Sequence, residues 1–169
     1  MQHLYSNETT PILQLGTDFY DSVQPAVFPV KKLRYWNSSL DLNIVNDRLF
    51  DFQPLENNIP TPLALRYHGH QFQHYNKDLG DGRGFLYAQI KKNGQWYDLG
   101  TKGSGQTPYS RKGDGKLTLK GAVREALATE MLESLGVKTS KTACFFETGE
   151  NLNRNDEPSP TRSAVLTRF

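Results

Sequence analysis

The chain has 169 residues, of which 36% are hydrophobic and 22% charged, with a net charge of +2 and a mean hydropathy of −0.65. That length allows one domain with a real core, the composition lies outside the disordered class, and the charge is too mild to argue for a nucleic-acid partner by itself. No stretch approaches the ~18 apolar residues of a membrane span, and "MQHLYSNETTPILQL" lacks the basic start and long apolar run of a signal peptide.

In chain order, residues 1–17 read as a polar arm. Apolar residues return over 18–51, broken by Pro25 and Pro29, and Asn37, Ser38 or Ser39 is placed to cap a short helix through Val45. Residues 53–63, with Pro54, Pro60 and Pro62, read as a linker that no helix or central strand crosses. Next come two strand-like runs, "GFLYAQIKK" and "QWYDLGTK", joined by Asn93-Gly94. Asn-Gly tolerates the positive φ of a type I′ turn, so the pair predicts a hairpin whose second strand ends at Lys102.

The stretch "LGTKGSGQTPYSRKGDGK", residues 99–116, is a loop ahead of a helix in "LKGAVREALATEMLESLGV". Val123, Leu127 and Met131 recur at i, i+4, with Ala128, Leu132 and Leu135 beside them, which predicts an amphipathic helix with that stripe buried and Gly136 as its stop. "KTACFFET" and "SAVLTRF" then read as strands, with "GENLNRNDEPSPT" as a surface loop between them. The chain stops inside an apolar run at Arg168-Phe169, and the expectation is a cut through a larger unit.

Ten of the fourteen glycines fall between Gly80 and Gly121, in "GDGRG", "KGSG" and "GDGK". Glycine lets backbone N–H groups turn inward around a phosphate, and Arg83, Lys102, Arg111, Lys112 and Lys116 supply charge for a polyphosphate. Tight turns with solvated cations explain the same pattern equally well. Two phosphate motifs are excluded. Gly115-Lys116 is followed by Leu117, against the Walker pattern, and Pro108 stands where the dinucleotide fingerprint needs glycine. A kinase-like pairing survives, in which strand Lys102 meets Glu125 on the first turns of the helix; Glu125 as an ordinary helix-face carboxylate is the alternative.

"HGHQFQH" brings His68, His70 and His74 together, but no acidic or cysteine partner has metal-site spacing, which favours structural or hydrogen-bonding histidines. Cys144, the single cysteine, excludes an internal disulfide and fits a reducing compartment, hence a cytoplasmic location. Its flanks Ala143 and Phe145 make it a buried small hydrophobe rather than a nucleophile.

"PLALRYHGHQF", "LGDGRG", "KGSGQTPYSRKGDGK" and "VREALATEMLESLGV" together resemble the selenoprotein O family, and "DFYDSVQP" and "RYWNSSL" resemble its N-terminal segment. After "GHQF" this chain carries Gln73 where the family pattern has glycine. The resemblance implies an α+β, protein-kinase-like N-terminal lobe, built on an antiparallel sheet and one main helix. It divides the chain into an N-terminal extension over 1–60 and a partial nucleotide-binding lobe over 61–169, stopping before the C-terminal lobe.

It further implies ATP bound in inverted orientation and transfer of AMP to Ser, Thr or Tyr hydroxyls of proteins. Gly80, Gly82 and Arg83 would line the nucleotide site, and Lys102 would contact phosphate and pair with Glu125. Asp114 and Gly115 would also be nucleotide contacts, and Arg168 the first of two phosphate-reaching arginines. The catalytic base, the Mg2+ ligands and the second arginine are expected beyond Phe169, so residues 1–169 alone are expected to be inactive. ATP and protein substrates are the expected partners, with neither nucleic acid nor membrane. The rival readings are a non-catalytic ATP-binding or protein-interaction module, an ordinary kinase, and a nucleic-acid binder stacking bases on Trp96 and Tyr97.

Overall fold

The computed structural model describes residues 10–40, 55 and 58–169. The strongest local signal folds as its turn chemistry demands. Strands β6 (Leu86–Lys92) and β7 (Gln95–Lys102) form an antiparallel hairpin in which Lys92 faces Gln95. Asn93 and Gly94 between them have φ of 52° and 78°, as a type I′ turn requires.

The remaining strands are β1 (Tyr20–Ser22), β2 (Lys32–Trp36), β3 (Leu63–Leu65), β4 (Gly69–Gln71), β5 (His74–Asn76), β8 (Leu117–Thr118), β9 (Thr142–Leu152) and β10 (Thr161–Arg168). All but β4 and β5 join one antiparallel sheet, ordered β1-β3-β6-β7-β10-β9-β2, with β8 also pairing β10. One main helix, α1 (Leu119–Ser134), packs on it, so the fold is α+β. Strand β10 is the axis: Ser163 to Thr167 are all buried between β7 and β9.

The helix begins and ends where expected. The Thr118 hydroxyl accepts the Gly121 N–H at 3.0 Å, and at the other end Gly136 takes φ +76° while the Val137 N–H reaches the Leu132 carbonyl. Its buried face differs from the predicted one. Val123, Leu127 and Met131 are exposed, and α1 lies on the sheet through Ala122, Ala126 and Thr129. These small residues, also spaced by four and three, bring the helix axis close to Leu117, Phe145, Ala164 and Leu166. The Thr129 hydroxyl closes the contact, bonding the Ala126 carbonyl and the Thr142 hydroxyl.

Three other expectations change. In the arm, Pro11–Gln14 form a 3₁₀ turn whose Ile12 is buried with Ile59, Leu63 and Leu86, and the Ile12 N–H donates to Gln89 Oε1 at 2.8 Å. In the proline-rich stretch, Ile59 is 1% exposed, so part of that linker lies in the core. In the 149–161 loop, strand β9 runs on to Leu152, with Asn151 and Leu152 pairing Arg162 and Thr161. Around Asn37 only a 3₁₀ turn, Ser38–Leu40, is seen, with the Ser39 N–H donating to Asn37 Oδ1; residues 41–45 of the expected helix lie outside the described residues. Strands β1 and β2, from the first sixty residues, join the same sheet as the later strands.

Candidate functional site

The sheet register builds the floor of a cleft. Leu166 of β10 faces Lys102 of β7, and Arg168 follows two residues later on the same face. That is the face on which α1 packs, and Glu125 of α1 meets both cations. Lys102 Nζ bonds Glu125 Oε2, and Arg168 Nη1 lies 3.1 Å from Glu125 Oε1. Of the two readings the sequence left for Glu125, the ion pair with Lys102 is the one seen; the share of Arg168 in the same carboxylate was not expected.

The glycine turns form the walls. In the 80–84 turn the Gly80 and Asp81 N–H groups donate to the Tyr67 and Leu65 carbonyls at 2.9 and 3.0 Å. The turn is stitched to the 103–116 loop. The Gly103 N–H donates to the Arg83 carbonyl at 2.7 Å, and the Ser110 hydroxyl to the Gly82 carbonyl at 2.7 Å. Glycine is required at two points. Gly80 (φ +51°) lies under the Tyr109 ring, and Gly115 (φ +69°) lies against the Gly105 backbone, so a Cβ at either would occupy space already filled.

The cleft encloses about 770 Å³. Gly80, Gly82, Arg83, Lys102, Asp114, Gly115 and Arg168 all line it; Glu125 stands behind Lys102 and lines an adjoining cavity of about 630 Å³ at the start of α1. Arg111, Lys112 and Lys116 add further positive charge, against the carboxylates of Asp81 and Asp114. Several cations are already engaged: Lys116 with Glu150, and Arg111 with Gln71 at 3.0 Å. Arg83 and Lys112 form no ion pair among the described residues.

Burial dominates the electrostatics of the cleft. Burial pushes the Lys102 amine below its ordinary value; Glu125 opposes this, while Arg83 and Arg168 reinforce it. Burial also raises the Asp81 carboxyl, although the Leu65 N–H and the Tyr67 hydroxyl, at 3.1 and 3.0 Å, favour its charged form. Burial and the neighbouring Asp81 raise the Tyr67 hydroxyl to about 12, which keeps it a hydrogen-bond donor. The lining cations supply the charge a polyphosphate needs. The Gly80, Asp81 and Gly103 N–H groups, however, are turned to protein carbonyls, and Lys102, Lys116, Arg154 and Arg168 would exchange carboxylate partners for phosphate.

Sequence reasoning missed Tyr67, Gln71, Tyr109 and Arg154 as lining residues. Tyr67, Gln71 and Tyr109 lie inside the quoted segments "PLALRYHGHQF" and "KGSGQTPYSRKGDGK", while Arg154 lies in no motif; Gln71 reaches the cleft from the end of β4 and the others from connections. The histidines do not line it: His68 Nδ1 and the Tyr75 hydroxyl bond at 2.9 Å on the β4–β5 hairpin. Among the described residues no group of three or more His, Cys, Asp or Glu is arranged to hold a metal ion. Cys144 is buried and unpaired, and burial pushes its thiol up to about 11, away from nucleophilic chemistry. No helix among the described residues is long and apolar enough to cross a membrane.

Comparison with known proteins gives this geometry a family. The chain is 56% identical over 164 residues to the protein nucleotidyltransferase YdiU of Synechococcus elongatus, covering 92% of the chain and 33% of the relative. Its counterpart in Synechocystis is 53% identical over 163 residues, at 92% and 34% coverage, and that of Vibrio parahaemolyticus 40% over 141 residues, at 76% and 28%. The chain thus spans about a third of the length of the curated relatives it matches. The family model described as protein adenylyltransferase SelO matches residues 2–169, so the chain that lays its glycine turns and cations around this cleft belongs to the SelO protein adenylyltransferase family.

Proposed function

We propose that the cleft binds ATP and that the whole protein transfers AMP to Ser, Thr or Tyr hydroxyls of protein substrates, in a reducing, cytoplasmic setting. In this reading residues 61–169 form a partial kinase-like nucleotide-binding lobe and residues 1–60 its extension. The observation that carries it is the Lys102–Glu125–Arg168 cluster on the floor of a glycine-walled, cation-rich cleft. Lys102, Arg83 and Arg168 hold the phosphates, Glu125 orients Lys102 and Arg168, and Gly80, Gly82, Asp114 and Gly115 shape the wall.

In the transfer, the substrate hydroxyl oxygen bonds to the α-phosphorus, the bond from that phosphorus to the bridging oxygen breaks, and pyrophosphate leaves. The hydroxyl proton passes to a base, which we place with the Mg2+ ligands beyond Phe169. The described residues offer no ligand set for the metal.

Two measurements test the reading. The 169-residue chain, titrated with MgATP by NMR, shows shifts centred on Lys102 and the 80–84 turn, and Lys102→Met weakens binding at least about tenfold, the loss of charge-assisted bonds to phosphate. Binding only to a single-stranded oligonucleotide, with steep salt dependence, would sink it. In a protein of the relatives' full length, label from α-labelled ATP enters protein and label from γ-labelled ATP does not; the reverse result makes it a kinase. Residues 1–169 alone transfer no AMP.

A further inference from the structure

Arg154 belongs to none of the motifs above. It lies in the connection between β9 and β10, yet it lines both the nucleotide cleft and the adjoining cavity at the start of α1. Its guanidinium meets Asp114 with two contacts, Nη1 to Oδ2 at 2.9 Å and Nη2 to Oδ1 at 3.0 Å. Nη2 also reaches the Lys116 carbonyl at 3.4 Å, while the Lys116 N–H donates to Asp114 Oδ1 at 2.9 Å. Arg154 is itself held. Its N–H donates to Ser159 Oγ at 2.8 Å, and Nη1 to the Asn153 carbonyl at 2.9 Å.

Gly113 to Lys116 belong to no helix or strand. Their other ties are the Gly105 N–H on the Gly115 carbonyl (3.2 Å), Gln106 Nε2 on the Gly113 carbonyl (2.8 Å), the Gly113 N–H on the Ser110 carbonyl (2.8 Å) and the Lys116 ammonium on Glu150; none of them holds the Asp114 carboxylate. A planar guanidinium bonded through two nitrogens fixes the direction of its carboxylate, which a lysine ammonium does not. The pair is partly exposed, at 23% for Arg154 and 44% for Asp114, so it contributes little to global stability. Its consequence is geometric.

We propose that Arg154 is a positioning residue of the cleft. It fixes the Asp114 carboxylate and the Gly113–Lys116 backbone, so that this wall is preformed when the nucleotide arrives. The proposal rests on the reading of the cleft as a nucleotide site, and its test separates the two. Arg154→Ala, Arg154→Lys, Asp114→Asn and the double variant Arg154→Ala/Asp114→Asn are made in the 169-residue chain. Without nucleotide, amide exchange at Lys116 and Gly105 quickens about fivefold or more in Arg154→Ala while strands β6, β7 and β10 keep their protection, and Arg154→Lys restores it only in part. With MgATP, Arg154→Ala and Asp114→Asn each weaken binding about tenfold, and the double variant is no weaker than the worse single one.

Unchanged exchange at Lys116 and Gly105 overturns the positioning role whether or not ATP binds. Additive losses overturn it too, because Arg154 then meets the nucleotide independently of Asp114. Loss of protection throughout the sheet in Arg154→Ala makes the residue a global stabiliser and overturns it as well. If the unsubstituted chain ignores MgATP, the nucleotide reading falls, and the exchange measurement still decides whether Arg154 holds the loop.

Discussion

Asp21, in the "DFYDSVQP" segment far from the glycine turns in sequence, shows how a single side chain conditions the cleft. Arg66 approaches it through Nε and Nη2 at 3.0 and 2.6 Å, and the Tyr109 hydroxyl donates to the same carboxylate. Tyr109 lines the cleft with its ring over Gly80, so a residue of β1 fixes a wall assembled from distant turns. Arg66 first and Tyr109 second hold the Asp21 carboxyl below its ordinary 3.8. A depressed acid stabilises the fold when ionised, so this contribution is complete above 3.8 and is lost as pH falls through the depressed value. The expected outcome is that Asp21→Asn lowers the melting temperature at pH 7 and flattens its fall below pH 4, measured by calorimetry across pH. An identical acid-side slope in the variant would show that Asp21 does not couple to folding.

The helix shows what periodicity can and cannot say. The spacing of Val123, Leu127 and Met131 announces a helix, and Thr118 and Gly136 bound it, because capping and period are properties of neighbouring residues. Which stripe faces the sheet is decided by packing, and the small Ala122–Ala126–Thr129 stripe is the one that meets Phe145 of β9 and Ala164 and Leu166 of β10. Ala126→Leu therefore overpacks this contact and costs about 1–3 kcal/mol in denaturant unfolding. Leu127→Gln, on the exposed stripe, changes stability by less than about 0.5 kcal/mol. A larger loss from Leu127→Gln than from Ala126→Leu would place the predicted stripe inside after all.

At the scale of the whole molecule, β10 joins stability to the site. Leu166 is fully buried, packs with the α1 contact, and faces Lys102 in register, so the same strand carries the core and aims Arg168 at Glu125. Leu166→Ala is expected to cost about 2–5 kcal/mol in urea unfolding, as a buried leucine that leaves a cavity. A cost well under 1 kcal/mol would mean that the strand is not central. By itself the sequence determined the β6–β7 hairpin, the extent of α1, the end of a strand at Lys102 and the family, and it offered the pairing of Lys102 with Glu125 as one of two readings. Each is written in turn chemistry, in a local period, or in motifs long enough to be specific. Tertiary structure alone decided which helix stripe is buried, where three-residue strands such as β1 and β3 pair, and that Arg154 and Arg168 meet Asp114 and Glu125. The β1–β3, Arg154–Asp114 and Arg168–Glu125 contacts join residues forty and more positions apart through sheet register and loop closure, and no local pattern encodes them.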